Sequence, residues 1–138
     1  MIAIIRISGM VEMTPDIKEA LYRLRLRRKF VLVLAKDNDE TRKMLQHVRN
    51  FIAYGPVDKE TLKELIAKRA ESSNKKKIDA DAIVADIEKK KLEELGIKPF
   101  FRLHPPRGGI NSKSHFPIRK GVLGDNKEKI NELIRRML

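Results

Sequence analysis

The apolar positions follow two periods along the chain. Ile2, Ile4 and Ile7, with Ala3 and Arg6 interleaved, read as a half-buried strand rich in β-branched residues. Gly9 ends that alternation and a loop runs to Thr14. Thr14-Pro15-Asp16 predicts a helix start: Thr14 can cap, proline suits the first helical position, and Asp16 favours the positive end of the dipole. Ile17, Ala20, Leu21 and Leu24 then recur at helical spacing. Lys29 to Ala35 is apolar almost throughout, the pattern of a strand covered on much of both faces. Asp37-Asn38-Asp39 predicts a turn and cap before a second amphipathic helix with Met44, Leu45 and Val48. Phe51-Ile52-Ala53-Tyr54 is a short third strand stopped by Gly55-Pro56. Residues 1–57 thus read β-α-β-α-β, an α+β unit able to bury one sheet face under two helices.

The pattern changes from residue 58 onward. Asp58 can cap a helix whose stripe is Leu62, Leu65 and Ile66, and Ser72 to Lys77 reads as a polar linker. A further helix starts at Asp79 or Asp81, carries Ile83, Val84, Ile87, Leu92 and Leu95, and stops at Gly96. Residues 99–104 look extended and 105–124 irregular. Asp125 and Glu128 have capping-box spacing for a last helix over 125–138, striped by Ile130, Leu133, Ile134 and Met137. The expected organisation is therefore a 1–57 core and a 58–138 extension, mainly helical, holding a long basic Pro/Gly loop at 97–124.

Charge sharpens this picture. The 138 residues carry 31 Lys and Arg against 19 Asp and Glu, a net +12. The excess is not spread evenly. Residues 58–94 balance, whereas 95–124 hold six basic residues and no acidic one. A cytosolic protein with a polyanionic partner is expected. The absence of cysteine excludes disulfides, thiolate zinc sites and cysteine nucleophiles. The longest apolar run, Phe30 to Ala35, is far short of the roughly 18 residues a membrane helix needs, and Met1-Ile2 leads directly into a strand pattern, so neither membrane span nor signal peptide is expected.

Two segments are candidates for polyanion contact. The first is Arg23, Arg25, Arg27, Arg28 and Lys29 at the end of the first helix. Cations complement a helix C-terminus, yet five exceed what the dipole requires, so a solvated end and a binding patch both fit them. The second is the 97–124 segment, where Arg102, His104, Arg107, Lys113, His115, Arg119 and Lys120 hang from a frame of prolines and glycines. Pro105-Pro106 stiffens it, and Gly108 and Gly109 permit close backbone approach to a ligand. Bared amides and uncompensated guanidinium groups suit phosphate oxygens. Phe30 and Phe51 read as core; Phe100, Phe101 and Phe116 read as packing the long segment on the core, so base stacking is not the expected main mode.

Enzymatic readings do poorly. Ser112, Ser114 and His115 have no nearby carboxylate to orient the histidine, and His104 and His115 lack a third metal ligand. Gly121 to Gly124 lacks the lysine of a phosphate-binding loop. No metal, cofactor or small-molecule substrate is expected. The alternative function is a free-standing RNA-processing or RNA-modifying enzyme using its basic face to deliver substrate; a DNA-architectural role lacks a recognition helix or apolar wedge.

Two stretches carry a family resemblance. Ile2-Ala3-Ile4-Ile5-Arg6, Leu24-Arg25-Leu26-Arg27-Arg28, the strand 29–35 and Val48-Arg49-Asn50-Phe51-Ile52-Ala53-Tyr54-Gly55 resemble the family of large-subunit ribosomal protein thirty. Phe101-Arg102-Leu103-His104-Pro105-Pro106-Arg107-Gly108-Gly109, with His115-Phe116 and Gly121-Val122-Leu123-Gly124, is similar to its archaeal branch and the eukaryotic counterpart, large-subunit ribosomal protein seven. Segment 72–95, compact and lysine-rich, departs most from that pattern. The resemblance implies a three-stranded antiparallel sheet with two helices on one face and a non-enzymatic place in the large ribosomal subunit. It also implies contact with 23S-type rRNA through the two basic segments, with 5S rRNA and neighbouring ribosomal proteins as further candidates.

Overall fold

The computed structural model describes residues 2–7, 14–49, 51–69, 80–86, 98, 100–105, 112–115, 121–125 and 127–138, with 112–115 and 121–125 as backbone. The elements are β1 (Ile2–Arg6), α1 (Pro15–Arg23), β2 (Val31–Ala35), α2 (Asp39–Val48), β3 (Ile52–Pro56), α3 (Lys59–Arg69), α4 (Ala80–Asp86), β4 (Phe101–Arg102), β5 (Ser112–His115), β6 (Gly121–Asp125) and α5 (Ile130–Met137). The strands form one sheet in the order β4-β2-β1-β3-β6-β5. The pairings β4/β2, β2/β1 and β1/β3 are antiparallel, and β3/β6 and β6/β5 are parallel.

The α+β class and the β-α-β-α-β core hold, and α1 and α2 do share one face. The sheet is wider than three strands, because the extension adds β4 at one edge and β6 and β5 at the other. Residues 112–115 and 121–124, expected to be irregular, are therefore in strands, and β6 takes in Asp125, expected to open the last helix.

Every residue of β1 is buried, which corrects the half-buried reading. Alternate side chains of a strand point to opposite faces, so a strand buried along its whole length has both faces covered. Ile2 and Ile4, with Val31, Val33 and Ile52, pack under Leu21 of α1 and Leu45 and Val48 of α2. Ala3, Ile5 and Ile7, with Leu32 and Ala53, pack under Leu62, Leu65 and Ile66 of α3, Ile83 of α4, and Ile130, Leu133, Ile134 and Met137 of α5. The extension is thus the second layer over the sheet. Each fully buried Leu or Ile contributes about 1.5–3 kcal/mol, so this second face carries a large share of the stability.

Small residues let that layer sit close. Ala3 faces Gly55 across the β1/β3 pairing, and Ile5 faces Ala53. A Cβ on Gly55 would collide with the Lys127 carbonyl and press Ile130 at 3.0 Å. Gly55 lies inside β3, which runs on to Pro56, so this glycine serves packing and does not end the strand.

Two of the expected caps form. The Asn38 side chain accepts the Thr41 amide at 2.8 Å, and Asp58 accepts the Thr61 amide at 2.7 Å. The Thr61 hydrogen bond holds the Asp58 carboxyl below its ordinary pKa. Thr14 stands at the N-cap of α1 without a side-chain bond; Pro15 and Asp16 take the first turn as expected. Asp125 ends β6. A 3-10 turn at Lys127–Lys129 leads into α5 instead. Asn131 does the anchoring there: it accepts the Asp58 amide at 3.0 Å and donates to the Glu128 carbonyl at 2.9 Å. Ile87, Leu92, Leu95 and the Gly96 stop lie outside the described residues.

Candidate nucleic-acid interface

The basic cluster after α1 is shaped by the way the helix stops. The Leu26 amide donates to the Leu21 carbonyl at 2.9 Å and the Arg25 amide to the Tyr22 carbonyl at 3.0 Å. That crossed pair of bonds is a Schellman motif, with Leu21 and Leu26 both fully inside the α1/α2 core. The motif needs a left-handed residue at its turn. Glycine is usual there, yet Arg25 fills the position at φ 63°. A non-glycine residue in this region costs about 1–2 kcal/mol. Glycine would relieve that strain and lose part of the gain to its freer unfolded chain. Arg25→Gly is therefore expected to leave the melting temperature unchanged or raise it by a few degrees in calorimetry; a clear fall would mean that the Arg25 side chain supports the fold.

Behind the turn stands Arg6, which sequence reading assigned no role. It is only 3% exposed, and its guanidinium donates to the Leu26 carbonyl at 2.8 Å. Its carbonyl accepts the Phe30 amide at 2.7 Å. Burial pushes the Arg6 pKa down, but arginine remains a cation at physiological pH. Arg6 thus clamps both ends of the 26–30 segment. The alternation of β1 could not flag it, since a cation at a strand end is usually solvated.

The exposed cations of this segment differ in their partners. Arg23 pairs with Glu19 at 2.7 Å, both exposed, a contact worth little in water. Arg27 lies 4.3 Å over the Tyr22 ring, and Lys29 lies 5.0 Å from the Phe30 ring centroid.

Residues more than seventy positions away join them. In β4, Arg102 pairs with Val31 and Phe101 with Leu32, and the Leu103 amide donates to the Phe30 carbonyl at 3.0 Å. The His104 amide donates to the Met137 carbonyl at 3.0 Å, tying the segment to the end of α5. Phe101 and Leu103 enter the α3/α5 core while Phe100 packs on the other one, leaving Arg102 and His104 exposed. Arg102 lies 5.7 Å over Phe100. The 23–29 cluster and Arg102 with His104 therefore share one edge of the sheet.

The rest of the acid-free block is not brought to that edge. Lys113 and His115 lie on β5 at the opposite edge, five strand spacings or roughly 24 Å away. Arg107, Gly108, Gly109, Phe116, Arg119 and Lys120 lie outside the described residues. Among the described residues no three His, Asp, Glu or Cys side chains gather as a metal site, and no helix is long and apolar enough to cross a membrane.

A layered frame with a cationic edge is the build of a polyanion-binding protein. Comparison with known proteins makes the class specific. The chain belongs to the family described as ribosomal protein L30p/L7e, whose sequence model matches residues 2–52. It is 37% identical to large ribosomal subunit protein uL30 of Aeropyrum pernix, covering 99% of this chain and 98% of the relative. It is 39% identical to the uL30 protein of Nanoarchaeum equitans over 99% and 97%, and 35% identical to that of Archaeoglobus fulgidus over 99% of each. The chain is a structural constituent of the large ribosomal subunit and not an enzyme, and the RNA-processing alternative falls.

Proposed function

We propose that the chain holds 23S-type rRNA in the large subunit through the composite edge made by residues 23–29 and 102–104. The observation that carries this is the β2/β4 pairing, which sets Arg102 beside a turn already bearing Arg25, Arg27, Arg28 and Lys29. Phosphates of an RNA backbone recur every few ångströms, so cations held at neighbouring fixed points displace several counterions together. Residues 1–57 supply the rRNA-binding core; the 58–138 extension supplies the second layer and the β4 strand. Arg107, Gly108, Gly109, Arg119 and Lys120 continue the contact from the Pro/Gly segment. Lys113 and His115, on the far-edge strand, are assigned to a second element: another rRNA helix, 5S rRNA or a neighbouring ribosomal protein.

The test is a double charge reversal, Arg28→Glu with Arg102→Glu. Both side chains are exposed, so the fold is expected to persist with a melting temperature within a few degrees of wild type. Association with large subunits on a sucrose gradient is expected to fall at least tenfold. Full occupancy by a folded double variant would overturn the proposal.

A further inference from the structure

We propose that Tyr22 and Arg27 form a stacking site for one unpaired nucleobase of rRNA, a reading that rests on the composite edge facing rRNA. Tyr22 is 59% exposed and is the single exposed large hydrophobic side chain among the described residues. It sits in the last turn of α1, and the Arg27 guanidinium lies 4.3 Å from its ring centroid. A guanidinium lies flat over one face of an aromatic ring. With 59% of Tyr22 exposed beside that guanidinium, the residue keeps surface to offer a second planar group.

Three features select a nucleobase as that group. The helix end and turn that carry Tyr22 and Arg27 also carry exposed Arg23, Arg25, Arg28 and Lys29, which suit the phosphates on either side of a base and repel a basic protein segment. The platform is rigid: the two Schellman bonds fix the Tyr22 and Leu21 carbonyls, and Leu21 and Leu26 are locked in the core. Little order is then lost on binding. Thirdly, two similar pairs nearby are not available for stacking. Lys29 over Phe30 and Arg102 over Phe100 place a cation on a ring, but Phe30 and Phe100 pack against the two cores. Tyr22 alone among these rings is turned outward. RNA recognition commonly places splayed-out bases on aromatic and arginine planes, which a paired duplex cannot offer.

The experiment uses the full chain and two RNA probes of equal phosphate number: a single strand with a central 2-aminopurine, and a fully paired duplex. The wild type is expected to quench the 2-aminopurine emission. Tyr22→Ala is expected to weaken single-strand binding about 5- to 150-fold, the range found on removing a stacking aromatic, with duplex binding changed less than twofold. Tyr22→Phe is expected to keep both the quench and the affinity. Tyr22→Ala behaving as wild type, or losing both probes equally, overturns the stacking site, as does an unquenched wild type. The Arg28→Glu, Arg102→Glu variant separates the two readings. If it loses both probes while Tyr22→Ala loses neither, the edge stands and the stacking site falls. If it binds both probes as wild type does, the edge and the stacking site fall together.

Discussion

Phe101→Ala is expected to lower the unfolding free energy by about 3–5 kcal/mol, and the melting temperature by roughly 10–20 °C. The ring is fully buried among the side chains of the α3/α5 face. Removing it takes away a large apolar surface and leaves a cavity between sheet and helices, which a rigid second layer fills only in part. β4 is two residues long, so few backbone bonds hold it on β2. The ring is what seats that strand. The variant is therefore expected to loosen Arg102 at temperatures where the rest of the fold survives, weakening rRNA association as well. Phe101→Leu, which keeps most of the apolar volume, is expected to lose far less of both. Thermal or urea unfolding followed alongside gradient sedimentation checks the coupling. A loss below about 1 kcal/mol would mean that Phe101 does not seat β4.

Affinity for large-subunit rRNA is expected to fall by about three to five orders of magnitude between 50 and 200 mM salt, the behaviour of a protein making six to ten phosphate contacts. The composite edge offers six cations for this: Arg23, Arg25, Arg27, Arg28, Lys29 and Arg102. The logarithm of affinity against the logarithm of salt is linear in the number of counterions released, so the slope counts contacts. Replacing Arg25, Arg27 and Arg28 together by alanine is expected to reduce that slope by about two to three, with the fold retained. Filter binding across a salt series gives both values. A flat response in the wild type, or an unchanged slope in the triple variant, would remove phosphate contact as the source of affinity.

The two predictions draw on residues that were unequally legible. Phe101 was expected to pack the long segment on the core, and it does so. Nothing in its surroundings named its partner strand, because a two-residue strand has no alternation to read. Arg25 and its neighbours stood out by number alone. That Arg25 would occupy a left-handed turn was hidden, since glycine is the ordinary signal for one. Arg6 was read as the polar half of an alternating strand. Its burial came to light only once the loop after α1 was seen folded back over it. Tyr22 was an unremarked ring on a helix until its exposure and the guanidinium above it were known.

What the amino-acid order determined by itself was everything decided within a few residues. Asn38 and Asp58 cap because a carboxamide or carboxylate reaches an amide three positions on. Pro15 opens a helix because its ring presets the backbone. The separation of charge into a balanced middle and an acid-free stretch is likewise written in the chain. Tertiary structure decided which pieces meet. It sent Arg102 and His104 to one edge of the sheet and Lys113 and His115 to the other, dividing what read as one basic surface. It also turned the extension into a second layer that buries β1 on both sides. The reason is physical: a cap or a turn is satisfied locally, whereas strand partners are chosen by burial of both sheet faces at once, a condition that involves the whole chain.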